Sequence, residues 1–163
     1  MADKIEGIKR FGGDEGGDYP SVNAGHPYET VESAWDAAFK EMKDLGTKYY
    51  PEEAAKFKFL PELGVEIFKR SNRFYYDKIV RGYQDGRLGG GVGFSDSGAV
   101  ARGHMHWDNQ LESGGDISNA EFWSNKTPKY NAWVGSWYGF TRYWINGKRP
   151  SGSRGPDINT YKY

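Results

Sequence analysis

The strongest chemical signal in this sequence is a pair of histidines one residue apart. In His104-Met105-His106-Trp107-Asp108, the residues His104, His106 and Asp108 occupy alternate positions. Alternate side chains of a strand point to one side, so two imidazoles and a carboxylate would form one row. Imidazole nitrogen and carboxylate oxygen suit zinc or iron, and a catalytic site needs three such ligands with a further position left open. His104, His106 and Asp108 are therefore the candidate ligands of a divalent metal, and a small metal-dependent enzyme is one expected function. The plainer alternative is a pair of half-buried histidines with hydrogen-bonded rings.

The run resembles the H-x-H-x-D segment of metallo-β-lactamase-type hydrolases. The resemblance covers five residues: Asn109 stands where those proteins place a further histidine, and no histidine follows His106. Other chemistries fit less well. Gly89-Gly90-Gly91-Val92-Gly93 is not followed by Gly-Lys-Ser/Thr, which excludes a P-loop. Asp96 stands where a dinucleotide fingerprint needs its third glycine. No G-x-S-x-G elbow is present. Asp108, Glu112, Asp116 and Glu121 could supply a carboxylate pair, but spacing within a loop does not fix the separation that glycoside hydrolysis demands.

The second signal is aromatic. Five of the six tryptophans lie between Trp107 and Trp144. Trp133, Trp137, Phe140 and Trp144 fall at helical spacing, and Gly135 and Gly139 form a small-residue line that would allow close approach. With Trp123, these residues are the candidate interface, because Trp and Tyr dominate interface energetics. The same rings could instead be a core packed on Trp35. They could also lie on a membrane surface or stack on sugars, with Lys148, Arg149 and Arg154 meeting anionic head groups.

The elements that must position these groups follow from periodicity. Val31, Ala34, Trp35, Ala38, Phe39, Met42 and Leu45 line one face of a helix over 31–45, with Thr30 as N-cap and Gly46 as stop. Pro51 opens a second helix over 51–59, and Pro61 a third over 61–81. Residues 82–120 read as a Gly-rich loop, and 132–145 as a fourth helix on the strength of the aromatic stripe. The expected fold is mainly α, with three to four helices, long Gly-rich ordered loops and extended N- and C-terminal arms. The alternative is α+β, with a short sheet from residues 100–107 and 132–145. One small domain spans 30–147, between an extended arm at 1–29 and a polar tail at 148–163.

Composition narrows the function. The 22 basic and 22 acidic side chains balance, so nucleic acid is not an expected partner. There is no cysteine, hence no disulfide and no thiolate chemistry, which fits an intracellular, reducing compartment. No apolar run reaches the ~18–20 residues of a membrane span, and the N-terminus carries neither a secretory nor a transit signal. With 23 glycines and rings in place of aliphatic residues, the expected role is a non-catalytic accessory subunit. Its partners would be other protein subunits of a large complex, without a cofactor. The metal-dependent enzyme and a peripheral membrane- or carbohydrate-binding module are the alternatives.

Overall fold

The computed structural model describes residues 18–56, 61–82, 94, 98–107, 110–150 and 160–162. Helix α1, Val31–Tyr49, begins where Thr30 caps it. The Ser33 N–H donates to Thr30 Oγ1 at 3.0 Å, and the Thr30 N–H donates back to Ser33 Oγ at 3.2 Å. Its buried face carries Ala34, Trp35, Ala38, Phe39 and Met42. Gly46 lies inside the helix rather than ending it, and the Tyr50 N–H closes the last turn on the Gly46 carbonyl at 2.9 Å. Helix α2 is a single turn, Pro51–Ala55; of the helix expected over 51–59, residues 57–60 lie outside the described residues.

The mainly α expectation is overturned: the chain is α+β, built on a mixed sheet with two long helices. The stretch 61–81 forms strands β2 (Leu63–Arg70), β3 (Arg73–Tyr75) and β4 (Lys78–Arg81). Leu63 and Ile67 are four apart, a spacing that a helix and a strand share. Val65 decides between them, because it is buried together with both, which is a period of two. Ser71 and Asn72 have φ of 50° and 62° and join Arg70 to its partner Arg73, a two-residue hairpin loop.

The helix expected over 132–145 is also corrected. It is a hairpin of β6 (Asn131–Ser136) and β7 (Gly139–Trp144) around Trp137 and Tyr138. Trp133 and Trp137 again lie at a spacing common to both periods, and β-propensity of the rings prevails. Trp144 falls on the opposite side, in a separate cluster with Ala132, Val134 and Tyr143. The region 82–120 is likewise not all loop. It contains β5 (Ala101–Met105) and the start of α3 (Gly114–Lys126), which Ser113 caps.

The strand order is β1 (Tyr19–Pro20), β4, β2, β5, β6, β7 and β8 (Thr160–Lys162), with β3 on β2 off this path. Every pairing is antiparallel except β5 with β6, which are parallel. Parallel neighbours need a crossover, and α3 supplies it. The middle strands β5 and β6 are buried along their whole length, as strands covered on both faces are. One face packs on α1, where Trp35 stacks on Trp133 with ring centroids 5.4 Å apart. Two glycines allow that approach: a methyl at Gly103 would overlap the Trp35 ring, and one at Gly135 would meet Phe39 and Met105.

Candidate metal centre

Both histidines sit where the parallel pair ends. His104 is the penultimate residue of β5, on the face away from α1. His106 follows the strand, and its backbone N–H donates to the Gly135 carbonyl at 2.7 Å. Fully buried Trp107 then anchors the chain by donating its indole N–H to the Pro61 carbonyl at 2.7 Å. The crossover brings the first turn of α3 over the end of β5. Asp116 is the third residue of that helix, held by a reciprocal cap: its N–H donates to Ser113 Oγ at 3.1 Å, and the Ser113 N–H donates to Asp116 Oδ2 at 2.8 Å. On the other side, Gly64 pairs with His104 across β2 and β5. Continued two residues, that antiparallel register sets Glu62 beside His106.

The four side chains converge. His104 Nε2 and His106 Nε2 are 3.2 Å apart. Asp116 Oδ1 is 3.2 Å from His104 Nε2, and Asp116 Oδ2 is 3.3 Å from His106 Nε2. Glu62 Oε2 stands farther off, 3.9 Å from His106 Nε2. Glu62, His104 and His106 also form a group whose ligand atoms all lie within 4.8 Å of one another. Asp116 stands nearer to His106 than Glu62 does, and it also reaches His104 with its other oxygen.

Second partners orient the rings. His106 Nδ1 faces the carbonyls of Gln110 at 3.3 Å and Leu111 at 3.1 Å. A carbonyl only accepts, so Nδ1 carries the hydrogen and the neutral ring offers its Nε2 lone pair inward. Burial lowers the His106 imidazole, the charge of His104 adds to this, and Asp116 with the two carbonyls only partly opposes it. His104 goes the other way. Burial pulls it down, but the hydrogen bond and charge of Asp116 and the charge of Glu62 outweigh burial and leave it above the ordinary histidine range. For Asp116, burial pushes upward, yet the bond and charge of His104, the Ser113 N–H and His106 hold it at about 2. The carboxylate is thus ionised, the form in which a carboxylate can bind a cation.

These groups open into a cavity of about 520 Å³. Its walls also include Arg102, Trp123, Tyr130 and Tyr143. Arg102, two residues before His104 on the same face of β5, is buried against Glu66, with Nε 3.0 Å from Oε2. The Trp123 ring covers its guanidinium at 3.7 Å. Tyr143 stands edge-on to His104, centroids 6.5 Å apart. Burial first, then the charges of Asp116, Tyr130, Glu112 and Glu62, raises its phenol well above the usual range, so it remains a proton donor.

Of the expected ligands, His104 and His106 come together, while Asp108 lies outside the described residues. Asp116 and Glu62 had weaker signals: a Ser113-x-x-Asp116 capping pattern, and a carboxylate two residues ahead of Gly64, which pairs with His104. Of the candidate interface residues, Trp133, Trp137 and Phe140 lie in the core with Trp35, and Trp144 lies in the cluster under α3. Gly135 abuts Phe39, Gly139 opens β7, and Trp123 covers Arg102. These rings meet this chain's own residues. Among the described residues, no helix is long and apolar enough to cross a membrane. Comparison with protein-family models, curated proteins and solved structures finds no match.

Proposed function

We propose that this protein is a zinc-dependent hydrolase, with His104, His106 and Asp116 as metal ligands and Glu62 as general base. The observation that carries this reading is the convergence of two Nε2 atoms, 3.2 Å apart, on one carboxylate whose Oδ1 lies 3.2 Å from His104 and whose Oδ2 lies 3.3 Å from His106. Ligand atoms about 2.0–2.1 Å from a tetrahedral zinc are themselves about 3.3 Å apart. Three protein ligands leave a fourth position open, the mark of a catalytic rather than a structural site. A zinc ion held there would polarise a carbonyl and acidify a water. Glu62, beside that cluster and in the same cavity, would take a proton from an attacking water and return it to the leaving group. The Tyr143 hydroxyl supplies a neutral donor to the cavity. The second partners of His106 hold its ring in the ligating tautomer.

The test separates binding from chemistry. Metal-free protein takes up one equivalent of zinc, and His104→Ala or Asp116→Ala lowers that affinity at least about a hundredfold. Against a panel of ester, amide and peptide substrates, hydrolysis is lost with chelator, returns with zinc, and is absent in Glu62→Gln, which still binds the metal. Zinc uptake indifferent to these substitutions, or full activity in Glu62→Gln, would overturn the proposal.

A further inference from the structure

The cavity is not symmetric about the four converging side chains. Along β5 it extends from His104 to Arg102, one strand repeat of about 6.8 Å, and there its walls turn aromatic. Trp123 and Tyr130 face Arg102, with ring centroids 3.7 and 5.7 Å from the guanidinium carbon. Tyr143 closes the side next to His104. Phe122 stands on the lip, 52% exposed, its ring edge-to-face with Trp123 at 5.1 Å and beneath the Lys126 ammonium at 5.0 Å. Trp123 serves the interior, and Phe122 is left lining the entrance. Arg102 brings no net charge to this end, because Glu66 neutralises it.

We infer that this end of the cavity is an acceptor for an aromatic ring, and that the substrates are acyl compounds bearing such a ring next to the hydrolysed carbonyl. The inference rests on the zinc-hydrolase reading, since the metal centre fixes the carbonyl and the aromatic end then selects what is attached to it. A flat apolar ring gains edge-to-face contacts with Phe122, Trp123 and Tyr143. A charged group buried beside Arg102 would lose its water where that guanidinium is already paired with Glu66. Ring-bearing side chains of peptides and small aryl acids share this chemistry.

The test uses cobalt(II) in place of zinc, with acetohydroxamate and phenylacetohydroxamate as probes that differ by one phenyl group. The visible spectrum of the cobalt protein reports the centre, and its change on titration reports each hydroxamate. Phenylacetohydroxamate is expected to bind about tenfold more tightly than acetohydroxamate. In Phe122→Ala, whose exposed site does not threaten folding, that preference shrinks below about threefold while acetohydroxamate binds as before, and Phe122→Tyr restores it. An N-phenylacetylated peptide and a free phenylacetyl ester, tested as substrates, distinguish peptide from small-acid sources. A cobalt protein that binds both hydroxamates equally, or whose preference survives Phe122→Ala, overturns the ring acceptor alone. Absence of any tetrahedral cobalt spectrum overturns the metal centre and the acceptor together.

Discussion

His104 and His106 share one environment, yet their protons behave in opposite ways. Asp116 and Glu62 hold the proton on His104, whereas burial and that same His104 charge strip it from His106. In metal-free protein, ¹H–¹⁵N spectra of the imidazoles should therefore show His104 still protonated at a pH where His106 is already neutral. Identical titration of the two rings would contradict this. The linkage sign follows from the raised His104 value. Below that value zinc must displace a proton, so its affinity rises with pH, up to about tenfold per unit, and levels off once His104 is neutral. At this scale the sequence was half legible. His-x-His announces itself, because two ligands one residue apart fall on the same side of a strand. Asp116 and Glu62 do not, because they arrive through a helix cap and a cross-strand register, neither of which leaves a fixed spacing to the histidines.

The elements matter through the ends they present. Ser113 holds Asp116 in the first turn of α3, so Ser113→Ala should cost about 1 kcal/mol of stability. It should also weaken zinc binding by about tenfold, because the freed carboxylate must be reordered. Denaturant unfolding and competitive zinc titration check the two halves. A stability loss with unchanged zinc affinity would show that the cap does not position the ligand. On the opposite face, Gly103→Ala drives a methyl into the Trp35 ring and should destabilise by about 1–3 kcal/mol by the same unfolding measurement. Elements were misread in the sequence wherever the decisive spacing was four. Leu63 with Ile67 and Trp133 with Trp137 satisfy a helix and a strand equally; Val65 and the Ser71-Asn72 turn break the first tie, and the β-propensity of the rings the second. Helix α1 was legible because seven apolar positions and a capping Thr30 agree. Helix α3 was hidden because it fully buries only Ala120 and carries little periodicity.

Taken whole, the chain is a mixed sheet covered by α1 on one face and α3 on the other, with its one parallel step feeding the site. The aromatic block is spent on that architecture: Trp133, Trp137 and Phe140 fasten the sheet to α1, and Trp144 lies under α3. Docking through a helical stripe loses its premise once these residues are strands. Zinc joins β5 and α3 in this account, so it stabilises the folded chain by mass action. At a hundredfold excess over the dissociation constant the gain is about 2.7 kcal/mol, or roughly 5–10 °C in Tm for a chain of this length. Calorimetry should show that shift in the native sequence and not in Asp116→Ala. The central claim is the ligand set itself, and X-ray absorption at the zinc edge tests it most directly. The account predicts one zinc per chain with two imidazole nitrogens and oxygen donors at about 2.0–2.1 Å, falling to one imidazole in His104→Ala. A zinc shell without two imidazoles, or one unchanged in His104→Ala, would contradict it.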